Sequence, residues 1–226
     1  PAYLMPAPSQ VFDTILELAH GPLWGHIGIS ALRVFSGFAI GTALALLIGT
    51  WVGLSQRAEA YLEPSFQALR AVPGLAWVPL LLIWLGIDEA SKITLIAIGA
   101  FFPVYLNLVA GIRNVDRKLV EVGAVYHFSR YRLVRHIFLP AALPSLFTGL
   151  RQALSMSWLC VVAAELLAAT KGIGYLLTDG RETSRPDLVL VAIILLATMG
   201  KLTDSVLRSL EARSLGWRDS FAGHAD

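Results

Sequence analysis

Five long stretches of the sequence are apolar and almost free of charge. They cover residues 34–54, 71–87, 93–112, 152–170 and 188–200, and Glu165 is the single charged residue within them. A helix of about 18 or more apolar residues can cross the hydrocarbon core of a bilayer. The stretches lack the alternation of barrel strands, and only helices or closed barrels satisfy the backbone in lipid. We therefore predict an all-α integral membrane domain with five spanning helices, called spans A to E.

The composition supports this class. Charged residues make up 15% of the chain, whereas ordinary soluble domains carry about 25%. This shortage argues against the alternative, a large soluble protein with buried helices. The net charge of +2 is too small to indicate a nucleic-acid partner. The single cysteine, Cys160, cannot form an internal disulfide, and we expect it to pack within its apolar run.

Basic residues predict which side of the membrane each loop occupies. Six lie between spans C and D, namely Arg113, Arg117, Lys118, Arg130, Arg132 and Arg135. Short loops rich in lysine and arginine mark the cytoplasmic side, so we place this loop and the C-terminus in the cytoplasm. Five spans then leave Pro1 outside. We expect one more spanning helix upstream, because an external N-terminus without a signal would be unusual.

Residues 8–20 have the helical spacing of an amphipathic segment. Val11, Ile15 and Leu18 fall near one face, and Leu16 lies beside them. This spacing predicts an external helix lying against the membrane.

Span A carries small residues at every fourth position. They are Gly37, Gly41, Ala45, Gly49 and Gly53. Such a stripe lets two helix backbones approach closely in lipid. It predicts close helix packing, with a neighbour from this chain or from another.

Prolines interrupt spans B and C. Span B contains Pro73, Gly74 and Pro79, and span C contains Pro103. Proline removes a helix hydrogen bond and bends or breaks the helix. Broken backbone at membrane depth is tolerated where it is buried in protein or lines a cavity. Span B is therefore either a helix beside a translocation path or a structural kink.

Span D carries two ionisable residues, Arg151 and Glu165. They are separated by about 21 Å along a helix, so they cannot pair with each other. Because charge in hydrocarbon is costly, each requires its own partner or a wet cavity. Arg151 alternatively extends to the inner interface.

The basic loop between spans C and D has an amphipathic pattern. Leu119, Val122, Val125 and Tyr126 share one face of a short predicted helix, and Ser129 is a plausible N-cap for the segment that follows. A short helix with basic flanks suits docking into a groove of a soluble partner. The alternative is a loop whose charges only fix the membrane orientation.

This loop resembles the EAA loop of binding-protein-dependent ABC importer permeases. Glu121 and the series Ile137, Leu139 and Pro140 are in register with that motif. Val122 and Gly123 stand in place of two alanines, followed by Ala124. His127 occupies the position of a family glycine, which puts the local turn in question because histidine tolerates a left-handed backbone poorly.

The resemblance extends over nearly the whole chain from about Pro8. Segments such as "LRAVPGLAWVPLLLIWLGIDEASKI" and "VVAAELLAATKGIGYLL" are similar to aliphatic sulfonate permeases, to which taurine and nitrate permeases are related. The resemblance implies the fold of a type I ABC importer transmembrane domain. It implies a single domain over residues 1–218, followed by a tail at 219–226, in a bacterial inner membrane.

The same resemblance implies the partners and the function. The chain would be the permease subunit of an ATP-driven importer and would form the path for a small anionic solute, which the similarity indicates to be an aliphatic sulfonate. It would pair with a second copy, two cytoplasmic ATPase subunits, an external solute-binding protein and membrane lipid. No Walker motif is present, so we expect no enzymatic, metal or cofactor site in this chain, and ATP and Mg²⁺ on the ATPase.

The predicted site residues form two groups. ATPase coupling is assigned to Glu121, Val122, Gly123, Ala124, His127, Ser129, Ile137, Leu139 and Pro140. The translocation path is assigned to Arg70, Pro73, Trp77, Pro79, Arg151, Ser155, Ser157, Trp158 and Glu165. Two other functions remain open from the residues: a secondary transporter with Glu165 as its ion site, and a scaffold that does not transport.

Overall fold

The computed structural model describes residues 6–216, except the side chains of Arg117, Arg130 and Ala168. Pro1, Arg218, the predicted boundary at residue 218 and the tail 219–226 lie outside the described residues. The helices are α1 (Pro8–Ala19), α2 (Leu23–Leu54), α3 (Gln56–Ala71), α4 (Trp77–Leu85), α5 (Glu89–Arg113), α6 (Arg117–Val125), α7 (Arg130–Leu133), α8 (Leu139–Ala168), α9 (Ile173–Glu182) and α10 (Pro186–Ser214). A 3₁₀ turn (Gly74–Ala76) precedes α4, and a π-helical turn (Val134–Phe138) precedes α8.

The apolar helices confirm the predicted fold class. Within residues 6–216, four helical segments are long and apolar enough to cross a membrane: α2, α5, the segment that contains α8, and α10. A fifth span results if α3 and the 74–85 segment are taken together. Spans A, C, D and E are thus confirmed as helices, and each observed helix is longer than the predicted run.

The centre of the bundle is α5, which packs along both α2 and α8. Its buried side chains include Leu95, Ile96, Val104 and Tyr105.

The helices α9 and α10 pack against each other and against α8. At the outside of α10, α1 is attached by a hydrogen bond from Thr14 Oγ1 to Asp187 Oδ2 at 2.8 Å. The predicted helix over residues 8–20 is confirmed, although it buries Val11 and Thr14 and leaves Leu16 exposed.

The small-residue stripe of α2 packs against α5 of the same chain. A Cβ atom added to Gly37 would lie 2.6 Å from the Ile96 side chain, and one added to Gly53 would lie 2.9 Å from Ile112. Distances this short have no room for a methyl group, so larger residues here would force the two helices apart. The stripe therefore makes an intrachain contact, which the sequence left open.

Predicted span B (71–87) does not form one spanning helix: only residues 74–85 of it are helical beyond Ala71, and this segment forms a bent pair with α3. The axes of α3 and the 74–85 segment differ by 83°. The break lies at Val72 and Pro73, because the proline ring disfavours a helical conformation at the preceding residue. Pro79 causes no break, since it lies in the first turn of α4, where a backbone N–H has no partner within the helix. The helix over 56–71 was not predicted.

Two further elements differ from the sequence expectation. First, α2 begins at Leu23 and contains Arg33, which the prediction had placed ahead of the span. A charged residue does not end a membrane helix when the fold supplies its partner. Second, residues 173–182, between predicted spans D and E, form the helix α9, which was not predicted. One end of the bundle contains Arg33 and α9 and is named the Arg33 end. The opposite end contains α6 and is named the α6 end.

Candidate coupling segment and translocation groove

The predicted coupling helix forms as α6 and is stabilised by its own residues at both ends. At its start, Asp116 Oδ1 accepts a hydrogen bond from the Lys118 amide at 2.9 Å. At its end, the Phe128 amide donates to the Gly123 carbonyl at 2.9 Å, and the His127 amide donates to the Ala124 carbonyl at 3.0 Å. This pair of bonds is the Schellman arrangement.

His127 adopts the left-handed conformation that this arrangement requires, with φ of 51°. The turn put in question by the missing glycine is therefore present. A left-handed backbone costs a residue with a Cβ about 1–2 kcal/mol. The helix end is thus formed against a local conformational penalty.

Most of the apolar face of α6 is open. Val122, Val125 and Tyr126 are 52%, 76% and 71% exposed, and Glu121 and Ala124 are exposed beside them. Gly123 instead faces its own chain: a Cβ added there would lie 2.8 Å from Ile137 Cδ1. The predicted coupling residues thus divide into an outward set on α6 and an inward contact at Gly123.

After the turn at residues 126–129, a continuous helical segment leads into α8. Ser129 Oγ accepts a hydrogen bond from the Arg132 amide at 3.4 Å, and α7 then continues through the π-helical turn into α8. Pro140 lies in the first turn of α8, where it is compatible with a helix. Ile137 is half-buried against Gly123, and Leu139 is 39% exposed. A displacement of α6 would therefore act on the start of a spanning helix.

The predicted path residues of α8 lie on two faces. Arg151 and Ser155 line an open groove of about 670 Å³ together with Pro103, Thr148, Gln152, Met156, Leu159 and Asp204. Ser157 and Trp158 are buried on the other face. The Trp158 indole N–H donates to Thr203 Oγ1 on α10 at 3.1 Å, so this side chain joins two helices.

The predicted path residues of the broken span lie elsewhere. Arg70, Pro73 and Pro79 are exposed on α3, the break and α4. Trp77 is half-buried and lines an apolar cavity of about 330 Å³ between α2, α3 and α5. One chain therefore does not bring the predicted path residues into a single site.

Arg151 has the partner that its position in an apolar helix requires. Its Nε lies 2.9 Å from Asp204 Oδ1 and its Nη2 lies 3.3 Å from Asp204 Oδ2, both on α10. Glu211 Oε2 lies 3.7 Å from Arg151 Nη1. The positive charge of the Arg151 guanidinium is consequently balanced by the carboxylates of Asp204 and Glu211.

Glu165 is the centre of a buried polar cluster at the Arg33 end. Its exposed fraction is 1%, and that of Arg33 is 3%. Arg33 Nη1 lies 2.8 Å from Glu165 Oε1, and Arg33 Nε donates to Glu89 Oε2 at 2.6 Å. Lys92 Nζ lies 3.2 Å from Glu89 Oε1. Two cations and two carboxylates therefore form a balanced group that links α2, α5 and α8.

The same cluster caps the start of α9. The Ile173 amide donates to Ser30 Oγ and the Gly174 amide donates to Glu165 Oε2, both at 2.8 Å. A carboxylate at a helix N-terminus is favoured by the unpaired amides and by the helix dipole. Arg33, Glu89 and Ser30 were not among the predicted site residues. The requirement of Glu165 for a cation was the signal that could have pointed to Arg33.

Together, the apolar spans, the broken span and the projecting α6 define a polytopic permease of the importer type. The chain belongs to the family of binding-protein-dependent transport system inner membrane components, whose family model matches residues 41–215. It is accordingly a multi-pass inner membrane protein and a permease subunit of an ABC importer, which confirms the class predicted from the sequence.

Relatives and one solved structure agree with this assignment. The chain is 47% identical to a putative aliphatic sulfonates transport permease protein of Bacillus subtilis, over 98% of this chain and 81% of the relative. It is 45% identical to the protein of the same description in Escherichia coli, over 96% and 83%. The taurine transport system permease protein of Escherichia coli is 35% identical, over 94% and 80%.

The fold is similar to that of a chain in the inward-facing MetNI methionine ABC transporter. The TM-score is 0.58 at 19% sequence identity, and the match covers 85% of this chain and 95% of the other. This similarity supports the type I importer fold.

Proposed function

We propose that two copies of this chain form the membrane path for an aliphatic sulfonate, and that α6 of each copy docks on a cytoplasmic ATPase subunit. An external binding protein delivers the solute. The single observation that carries the proposal is the exposed apolar face of α6, which stands in the register of the EAA loop within a chain of this family.

The docking role rests on what α6 exposes. Val125 and Tyr126 are large apolar or aromatic side chains, more than two-thirds exposed, on a helix that packs only lightly on its own chain. Tyrosine is enriched among the residues that dominate interface energies. A short amphipathic helix presented in this way fits a groove of a partner. The docking also implies that the α6 end faces the cytoplasm, as the arginines and lysines of residues 113–135 indicate.

The movement that drives transport passes from α6 into α8. Gly123 contacts Ile137. From Ile137 the chain continues into α8 as a helix without an intervening loop. Phe138 packs against the cluster of Leu108, Ile112 and Ala142 at the α6 end. A rigid-body shift of α6 on the ATPase would therefore displace α8 and the end of α5 together, as alternating access requires.

The substrate class rests on the relatives. Two proteins more than 40% identical to nearly the whole chain are described as aliphatic sulfonates transport permeases. The groove beside α8 combines polar and apolar lining residues, which suits a solute with an anionic head and an alkyl chain.

The geometry argues against a gradient-driven transporter that uses Glu165. Glu165 Oε1 accepts from Arg33 and Ser30, and Oε2 accepts from the Gly174 amide. The carboxylate is buried and fully hydrogen-bonded, so it offers no free site to a proton or a cation that enters from water.

The test changes the charge on the exposed surface of α6. We expect Glu121→Lys and Val125→Asp to weaken co-purification of the ATPase and to reduce ATP-driven sulfonate uptake in proteoliposomes, while membrane insertion is unchanged. Glu182→Lys is the matched control for Glu121→Lys, because Glu182 is exposed at the end of α9 and the variant makes the same change at the other end of the bundle. Normal uptake and ATPase association in both α6 variants would refute the docking role.

A further inference from the structure

The spanning helices carry a line of polar side chains along the groove beside α8. Thr148, Arg151, Gln152 and Ser155 follow one another at helical spacing on the groove face of α8. Asn107 of α5 lies beside them, and its Nδ2 donates to Gln152 Oε1 at 3.1 Å. Both amides lie well inside apolar helices. Such side chains in lipid would be costly, so this face meets water or protein.

Three of these groups are already occupied. The Arg151 guanidinium is held by Asp204 and Glu211. The Thr148 hydroxyl donates to the Pro144 carbonyl at 3.1 Å, and the Ser155 hydroxyl donates to the Arg151 carbonyl at 3.2 Å. Their hydrogen-bond donors point to their own helix or to α10 and are not offered to a solute.

Gln152 differs from these three. Its side chain is exposed, and its carbonyl oxygen is the atom that Asn107 engages. The bond to Asn107 fixes the orientation of the amide, so the Gln152 N–H groups are directed away from Asn107. The apolar side chains of Met156 and Leu159 follow along the same groove and are 40% and 62% exposed.

Asn107 Nδ2 also donates to the Pro103 carbonyl at 2.8 Å, so both of its N–H groups are used within the chain. We infer that the Gln152 amide, oriented by Asn107, is the polar contact for the sulfonate head in the groove, with Met156 and Leu159 beside the alkyl chain. Arg151 joins α8 to α10 and is not the counter-ion of the solute. This inference rests on the proposed function and names the residues that select for the substrate within the membrane.

The chemistry of this contact suits the passage of a sulfonate better than its tight binding. A sulfonate presents three acceptor oxygens that share one negative charge, and a primary amide offers neutral N–H donors. A transport site must bind well enough to admit a solute and weakly enough to release it. An unpaired arginine would hold the anion more strongly, and two carboxylates prevent Arg151 from doing so.

The experiment uses the complete importer in proteoliposomes, with ethanesulfonate and octanesulfonate as solutes. Gln152→Leu should lower ATP-driven uptake of both about tenfold, the value of a hydrogen bond to a charged group. Stimulation of ATP hydrolysis by the loaded binding protein should persist, and Gln152→Asn should restore part of the uptake. Leu159→Ala should lower octanesulfonate uptake more than ethanesulfonate uptake.

Thr148→Val is the matched control, because it also replaces a polar side chain of the groove by an apolar one but removes no free donor. Uptake by Gln152→Leu equal to that of Thr148→Val would overturn the inference. So would a loss explained by weaker pairing of the two permease copies, measured by cross-linking. If the wild-type importer takes up neither sulfonate, the proposed function fails as well. If the wild-type importer takes up both and Gln152→Leu takes them up equally well, only this inference fails.

Discussion

The helices α6 and α9 lie at opposite ends of the bundle and end in the same way, but they begin differently. Each ends in a Schellman arrangement with a left-handed residue other than glycine, His127 after α6 and Ser184 after α9. The start of α9 is capped by Ser30 and Glu165 from two other helices. The start of α6 is capped only by Asp116, within its own segment.

This difference separates a region built for rigidity from one built for contact. Residues from several helices fix α9 and the Arg33 end, and Ser30, Arg33 and Glu165 among them are buried. In contrast, α6 meets its own chain mainly through Gly123 and keeps its apolar face exposed. In the proposed function, the Arg33 end holds the bundle together while the α6 end receives the ATPase and transmits its movement.

The largest expected effect is at Arg33. Arg33→Met leaves Glu165 buried without its cation, so we expect the free energy of unfolding to fall by about 3–5 kcal/mol. SDS titration of the purified permease in mixed micelles measures this change. The double variant Arg33→Met, Glu165→Gln should recover part of the loss, because it removes the uncompensated charge. A single variant as stable as the wild type would show that the Arg33 end is not the rigid one.

The next effect is at Gly123. Gly123→Leu forces the side chain into Ile137, and we expect overpacking to lower the free energy of opening of α6 by about 1–3 kcal/mol. Ala124→Leu is the matched control, since Ala124 is exposed and the same side chain has room there. Hydrogen exchange of the α6 amides compares the two. Equal exchange in both variants would mean that Gly123 does not carry the internal contact.

A smaller gain is expected from glycine at the two left-handed positions. His127→Gly and Ser184→Gly each remove the Cβ penalty and should stabilise their turns by about 1 kcal/mol. Exchange of the Phe128 amide reports the first turn, and exchange of the Arg185 amide reports the second. If both amides exchange faster in these variants, the side chains at 127 and 184 must stabilise the turns in a way that the backbone does not indicate.

The smallest effect is expected for the ion pair between Arg113 and Glu59 at the α6 end. Both side chains are about one-third exposed, and such pairs contribute roughly 0.2–1 kcal/mol. A double-mutant cycle with Arg113→Gln and Glu59→Gln, followed by SDS titration, measures the coupling energy. A value as large as that of Arg33 with Glu165 would remove the proposed contrast between the two ends.

The sequence predicted the parts that depend on local pattern. Apolar length predicted the spans, the EAA register located α6, and Pro73 marked the break in span B. It also predicted that Arg151 and Glu165 need separate partners, and the structure supplies Asp204 and Arg33.

The rest depended on contacts between distant residues. Arg33 ended the predicted span A because it is charged, although its partner Glu165 lies 132 positions away. Similarly, α9 was missed because its start is capped by side chains of α2 and α8 and not by its own sequence. Which face of α8 lines the groove also depended on the position of α10, which periodicity alone does not define.

The most direct test of the account is cross-linking of α6 to the ATPase in the assembled importer. A cysteine introduced at Val125 should cross-link to the ATPase subunit, with a yield that changes between nucleotide-free and ATP-bound states. Cys160 is buried and should give little background, and a cysteine at exposed Glu182 on α9 should give no such product. Absence of a cross-link at Val125 in both states, with a cross-link at Glu182, would contradict the assignment of α6 as the docking helix.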